Sequence, residues 1–309
     1  MKIVVTDGYT LNPGDLSWEG IEALGTLTVY DRTPASEVVN RCREATIALT
    51  NKVAFNEEIL HALPALKMIG VTATGYNVID VKAARAKGIV VCNVPAYGTA
   101  SVAQHTIALL LELTNQVGVH AASVAAGEWV NAKDWCYRKT NITELAGKTM
   151  GIIGWGNIGR QTGKIAAALD MHVVYYSPSK KNIELQELFK TSDYVSLHCP
   201  LTKDNAGFVN KELLHLMKPT ACVINTARGQ LINEQHLADA LNSGRIAGAA
   251  LDVLSAEPPP STNPLLTAKN CIITPHNAWI SKEARQRVMD ITVQNVRAFL
   301  QQRPVNTVR

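Results

Sequence analysis

Three side chains in the C-terminal half of the chain have types that work together on a carbonyl group. Arg228 and Gly229 close the run INTARG. A guanidinium just past an apolar run can hold a carboxylate through two parallel N–H···O bonds. His276 stands in ITPHNAW, behind another apolar run, and imidazole is the side chain that trades a proton near neutrality. Glu257 lies in LSAEPPP; a carboxylate on one ring nitrogen would orient the imidazole and favour its protonated form. Taken singly, Arg228 could be a surface ion-pair partner and Glu257 a loop acid before prolines. Together they supply an anchor, a proton donor and a group that tunes the donor, as reduction of a carbonyl requires. Of the other histidines, His198 is placed near the glycine turn described next. His61, His105, His120, His172, His215 and His236 have no such setting and read as structural or exposed.

These residues need a scaffold, and the stretch Lys148 to Ser177 declares it. Met150 to Ile153 is a short apolar run, then comes Gly154-x-Gly156-x-x-Gly159, a helical pattern from Ile158 to Leu169, and a second β-type run, His172 to Tyr176. Strand, glycine turn, helix, strand is the context of a dinucleotide fingerprint. Gly154 permits the tight turn, Gly156 lets backbone approach a pyrophosphate, and Gly159 lets the helix lie close to the strand. The N–H groups around Asn157 and Ile158, at the positive end of the helix, would face the phosphates. An acidic residue normally ends the second strand and holds the ribose 2′-OH. Ser177 stands there instead, followed by Pro178, Ser179, Lys180 and Lys181. No carboxylate would repel a 2′-phosphate and lysines are close by, so the expectation is NADP or dual use of NAD(P) over strict NAD.

The chain has 309 residues, 47% of them hydrophobic and 18% charged, which suits about two domains with sizeable cores. The net charge of +4 is spread out with no dense Lys/Arg run, so no nucleic-acid partner is expected. No apolar run approaches the roughly 20 residues of a membrane span, and KIVV starts a strand where a secretory signal would lie. Cys42, Cys92, Cys136, Cys199, Cys222 and Cys271 form no CxxC pair. Buried reduced thiols in a cytoplasmic protein, without a metal site, are the expectation. Strand-like runs alternate with helical ones up to GIVVCNV, predicting a parallel sheet of flavodoxin type. A long apolar helix from Ser101 is expected to continue towards Ala126, buried between domains or against another subunit. The Trp129 and Trp135 segment after it is irregular and aromatic-rich, and is read as a dimerisation arm. Beyond the fingerprint, the runs YVSLHCP, ACVINTA, AGAALDV and CIITP are further strands, and a helix from Lys282 to Gln301 ends the chain. The predicted class is α/β with two parallel-sheet domains. A Rossmann dinucleotide-binding domain, residues 98–282 with the arm at about 115–145, is inserted into a substrate domain made of residues 1–97 and 283–309. A hinged cleft between the two is expected.

In that order, VTATGYNVID, NVPAYGTASVAQHT, GIIGWGNIGR, LHCPLT, INTARGQLI, GAALDV with AEPPP, and TPHNAW resemble the D-isomer-specific 2-hydroxyacid dehydrogenase family over essentially the whole chain. The resemblance implies that Arg228, Glu257 and His276 are the catalytic set. It implies that backbone at Thr74, Gly75 and Tyr76 helps Arg228 and His276 hold a substrate carboxylate. Thr226 and Ala227 would line the nicotinamide, Asp252 would meet its carboxamide, and Cys199 and Pro200 would border the adenosine. Ser177 departs from the family's usual Asp. The stretches DGYTLNPGDLSWEG and GEWVNAKDWCY point within the family to members that reduce a small 2-keto acid such as hydroxypyruvate or glyoxylate, as homodimers. A D-lactate-type reductase is the rival substrate reading. A formate dehydrogenase is disfavoured because Thr274-Pro275, not Gln, precede His276. A dinucleotide-sensing corepressor on the same fold is the reading from another class, and the complete Arg/Glu/His set argues against it.

Overall fold

In the computed structural model, which describes residues 1–308, the chain divides into two compact units. One comprises Met1–Gly98 together with the chain from Ile280 on, the other Thr99–Trp279.

The first unit carries strands β1 (Lys2–Val5), β2 (Thr26–Val29), β3 (Ile47–Thr50), β4 (Met68–Val71) and β5 (Val90–Cys92). They form one parallel sheet in the order β2-β1-β3-β4-β5, the flavodoxin arrangement. Central strands β3 and β4, IALT and MIGV, are buried at every position, which is why they are continuous apolar runs and not alternating ones. Helices α1 (Glu19–Glu22), α2 (Val38–Cys42), α3 (Glu57–His61) and α4 (Val81–Ala86) make the crossovers. Asn56 and Asp80 cap α3 and α4 by accepting from the N–H groups of Ile59 and Ala83, both at 2.9 Å.

The second unit opens with α5 (Thr99–Asn115) and α6 (Val117–Ala125). The single helix expected to run towards Ala126 is broken: Gln116 is left-handed (φ 46°) and the two helices meet at 59°. Val102, Ala103, Ile107, Leu109 and Leu110 of α5 are buried; Ile107, Leu109 and Leu110 belong to the core of the second unit, where the helix packs on α7 (Asn157–Ala168) and on sheet strands. Strands β6 (Thr149–Ile153), β7 (His172–Tyr176), β8 (Tyr194–Leu197), β9 (Cys222–Asn225), β10 (Gly248–Leu251) and β11 (Cys271–Ile273) form a second parallel sheet, in the order β11-β10-β9-β8-β6-β7. The order reverses between β6 and β8, where such sheets open a crevice at their carboxyl ends. Helices α7 (Asn157–Ala168), α8 (Leu185–Thr191), α9 (Lys211–Leu216) and α10 (Glu234–Asn242) connect them.

Helix α11 (Lys282–Leu300) then completes the first unit. Its buried Arg285 forks onto the Asp15 carboxylate with both bonds at 2.7 Å, and Asn295 donates to the Asn93 carbonyl at 2.9 Å. All six cysteines are free. Cys136 is exposed, against the expectation of burial, because it sits in the irregular stretch after α6. Among the described residues no single helix is long and apolar enough to cross a membrane.

Candidate active site

Neighbouring strands β9, β10 and β11 each end in a loop that carries one of the expected reactive side chains. After β9, the buried Asn225 folds its own turn: Oδ1 accepts from the Ala227 N–H and Nδ2 donates to the Arg228 carbonyl, both at 2.9 Å. Arg228 emerges exposed, with Nη1 donating to the Ala227 carbonyl at 2.6 Å. A Cβ on Gly229 would stand 2.0 Å from the carbonyl carbon of Leu254, so only glycine lets this loop lie flush on the one that carries Glu257. That second loop is tied to α10. The Glu234 carboxylate accepts from the Ser255 N–H and hydroxyl, each at 2.7 Å, and from Asn263 Nδ2 at 2.9 Å. Glu257 Oε1 takes the Leu254 N–H at 3.1 Å, and its Oε2 lies 2.6 Å from His276 Nδ1. Glu257 and His276 are thus brought together, and Nε2 is the ring nitrogen left to serve a substrate.

His276 is held in a left-handed backbone conformation (φ 52°), which a non-glycine residue adopts only when its surroundings impose it. The surroundings here centre on Asp252, 1% exposed at the end of β10. Its main-chain carbonyl accepts from the His276 N–H at 2.8 Å. Its carboxylate accepts from the Thr274 hydroxyl at 2.6 Å and from the N–H groups of Asn277 and Ala278 at 2.9 Å each. A buried carboxylate needs such partners, and here each one fixes the loop around His276.

The glycine turn suits a dinucleotide. Gly154 has φ 101°, and a Cβ there would come within 2.5 Å of the Cys199 nitrogen. A Cβ on Gly156, by contrast, would meet nothing within 4 Å, which is the room a pyrophosphate requires above the start of α7. No side chain caps that helix, so the N–H groups at Asn157, Ile158 and Gly159 have no side-chain acceptor at the cap. Trp155, inside the turn, stacks on Tyr175 with ring centroids 4.0 Å apart. Ser177 closes a turn on Lys180, its hydroxyl donating to the Lys180 carbonyl at 2.7 Å. Lys181 is engaged by Glu184 at 2.7 Å. Cys199 and Pro200 follow β8, and burial pushes the Cys199 thiol up to about 11. His198 sits 2.9 Å from the Ser196 hydroxyl, and burial pushes its imidazole down to about 3, leaving it neutral. Thr226 meets Thr106 of α5, hydroxyl to hydroxyl, at 3.0 Å. Thr74, Gly75 and Tyr76 belong to the first unit, in the loop after β4, where Thr74 donates to the Val94 carbonyl at 2.8 Å.

One histidine read as structural or exposed has partners close to the His276 loop. His105, on α5, is half-buried, with Nε2 3.0 Å from the Thr274 hydroxyl and 3.5 Å from Asp252 Oδ1. The available signal was the pair Ser101 and His105, four residues apart on a helix that is otherwise largely apolar. Asn225 and Glu234 carried no such signal. Among the described residues no group of His, Cys, Asp and Glu could hold a metal ion.

A proton-trading pair at the same end of the sheet as a phosphate-cradling turn is the working arrangement of a nicotinamide-dependent oxidoreductase. Comparison narrows that class: residues 107–278 match the NAD binding domain of the D-isomer specific 2-hydroxyacid dehydrogenases, and the chain belongs to this family. It is 52% identical to a hydroxypyruvate reductase of Blautia hydrogenotrophica, over 100% of this chain and 99% of that one. It is 42% identical to a glycerate dehydrogenase of Methylorubrum extorquens, over 88% of each. Among solved structures, an acyclic imino acid reductase in complex with NADPH and D-Arg superposes with a TM-score of 0.88 at 33% identity, over the full length of both chains. The chain is therefore an NAD(P)-dependent dehydrogenase with two parallel α/β sheets.

Proposed function

We propose that the protein reduces a small 2-keto acid, hydroxypyruvate or glyoxylate, to the D-2-hydroxy acid. The observation that carries this reading is the 2.6 Å Glu257–His276 pair beside the loop of Arg228. The similarity to a hydroxypyruvate reductase at 52% identity supports the substrate. Arg228 holds the substrate carboxylate bidentately and draws electron density from the adjacent carbonyl. His276, protonated, donates from Nε2 to the carbonyl oxygen, and Glu257 steadies the imidazolium until the proton leaves. A reduced nicotinamide, when bound, would supply the hydride for the carbonyl carbon. Keto acid, hydride and proton then balance as the hydroxy acid. Gly154, Gly156, Asn157, Ile158 and Gly159 would hold the pyrophosphate, Cys199 and Pro200 the adenosine, and Thr226, Ala227 and Asp252 the nicotinamide end.

The reading favours NADPH or dual use. Ser177 presents no charge against a 2′-phosphate, and Lys180 is the nearby cation, since Lys181 is engaged by Glu184. Ser177→Asp should shift the kcat/KM ratio towards NADH about fivefold or more, because two unit charges roughly 4 Å apart repel by about 1 kcal/mol even in water. An unchanged ratio removes Ser177 as the reader of that position. The same reading makes the protein a cytoplasmic homodimer, joined through the arm at about 115–145.

The deciding experiment is steady-state oxidation of NADH and NADPH with hydroxypyruvate, glyoxylate and pyruvate in parallel. The highest kcat/KM with hydroxypyruvate or glyoxylate supports the proposal. The highest with pyruvate replaces it by a D-lactate-type reductase, and inertness with all three overturns the substrate assignment.

A further inference from the structure

We propose that His105 is a positioning residue for His276, acting from α5 through Thr274 and Asp252. The contact chain is continuous. His105 Nε2 lies 3.0 Å from the Thr274 hydroxyl, which donates to Asp252 Oδ1 at 2.6 Å. The same carboxylate gathers the Asn277 and Ala278 N–H groups, and the Asp252 carbonyl takes the His276 N–H at 2.8 Å. One helical turn before His105, Ser101 donates to the Ala278 carbonyl at 2.6 Å. Thus α5 grips the five-residue segment Thr274–Ala278 at both ends, with His276 at its centre.

The need for a grip follows from the backbone. His276 is left-handed at φ 52°, a conformation that relaxes unless the neighbouring bonds over-determine it. Relaxation would swing Nδ1 away from Glu257 Oε2, now 2.6 Å off, and Nε2 away from the carbonyl it serves. Asp252 gathers that segment from the end of the strand: it is 1% exposed, and the groups facing it are Thr274, Asn277, Ala278 and His105. His105 is the member that ties this set to a long helix, whose next residue, Thr106, also holds Thr226 in the loop of Arg228 at 3.0 Å. His105 therefore fixes the proton donor without touching substrate.

The proposal rests on His276 being the acid, so the test carries separate arms for the two. With the reduced cofactor and keto acid that wild type turns over, kcat, both KM values and Tm are measured for His105→Phe, His105→Gln, Thr274→Val, the double variant His105→Phe/Thr274→Val, and His276→Asn. His105→Phe is expected to lower kcat about 10- to 100-fold, the scale of a misplaced catalytic group, with the cofactor KM unchanged. His105→Gln keeps an N–H at similar reach and is expected to restore most of that loss. The double variant is expected to lose no more than the worse single variant, because both substitutions break the same chain from His105 through Thr274 to Asp252. Wild-type kcat in His105→Phe, no recovery in His105→Gln, losses that multiply in the double variant, or a kcat loss that merely follows Tm would each overturn the proposal. If His105→Phe does not fold, His105→Ala is read in its place: a lowered kcat at unchanged Tm supports the proposal, and wild-type kcat overturns it. Retained turnover in His276→Asn would overturn the reading of the site, and this inference with it.

Discussion

Removing the His276 ring is two perturbations if the replacement also disturbs a left-handed backbone. Asn tolerates φ above zero better than Ala, so His276→Asn isolates the chemistry. It should lower kcat about 10²- to 10⁴-fold, the usual worth of a positioned acid, while the reduced cofactor still binds. Steady-state kinetics with a separate cofactor titration checks this, and undiminished turnover would remove His276 as the donor. Arg228 and Glu257 differ from it in how they are placed. Arg228 stands on a turn folded by the buried Asn225, whereas Glu257 depends on a loop bound to another helix.

At the scale of elements, that binding is testable. Glu234, in the first turn of α10, collects three hydrogen bonds from Ser255 and Asn263. Glu234→Gln turns one acceptor into a donor facing a donor and should cost about 1–3 kcal/mol of stability. It should also lower kcat more than it raises KM, since it loosens Glu257 and not the substrate anchor; urea unfolding together with steady-state kinetics measures both. An effect on stability alone would show that the Glu257 loop keeps its place without this tie. Elements were legible from sequence wherever burial dictates pattern. Fully buried β3, β4, β8, β9 and β10 are apolar runs interrupted only by Thr50, Ser196 and Asn225, and the glycine turn is local chemistry. The break was not read from the sequence, because the left-handed residue at the bend is Gln116, neither glycine nor proline, and the capping types beside it, Thr114, Asn115 and Gly118, lie in an otherwise apolar helical pattern. Arg228, Glu257 and His276 could be picked out by residue type and loop position. The roles of His105 and Glu234 could not, because each depends on a partner far along the chain: Thr274 lies 169 residues from His105, and Ser255 lies 21 from Glu234. No periodicity encodes such pairings.

For the whole molecule, two properties follow. The neutral His198 is a liability in acid. Its imidazole is pushed down from 6.5 to about 3 by burial, so between those values the unfolded chain takes up a proton that the folded chain refuses. This contribution to stability is whole above pH 6.5 and is lost as pH falls towards 3, at no more than about 1.4 kcal/mol per pH unit. Urea midpoints at pH 7 and pH 5 should therefore converge in His198→Asn relative to wild type; an equal pH dependence would acquit His198. The second property concerns assembly. Val130 and Trp135 are 88% and 87% exposed, a large apolar surface for a chain to leave in water. If the arm joins two copies, Val130→Asp with Trp135→Ala should halve the particle mass in sedimentation, and an unchanged mass would place the contact elsewhere. Lastly, the stacking of Trp155 on Tyr175 inside the glycine turn has an optical consequence. Of the five tryptophans, Trp155 is the one set between two residues of the fingerprint. Indole emission overlaps the absorption of a reduced nicotinamide and not that of the oxidised form. The turn that cradles phosphates therefore carries its own fluorophore, and quenching of it would follow occupancy and redox state of the cofactor in any variant, including those that no longer turn over.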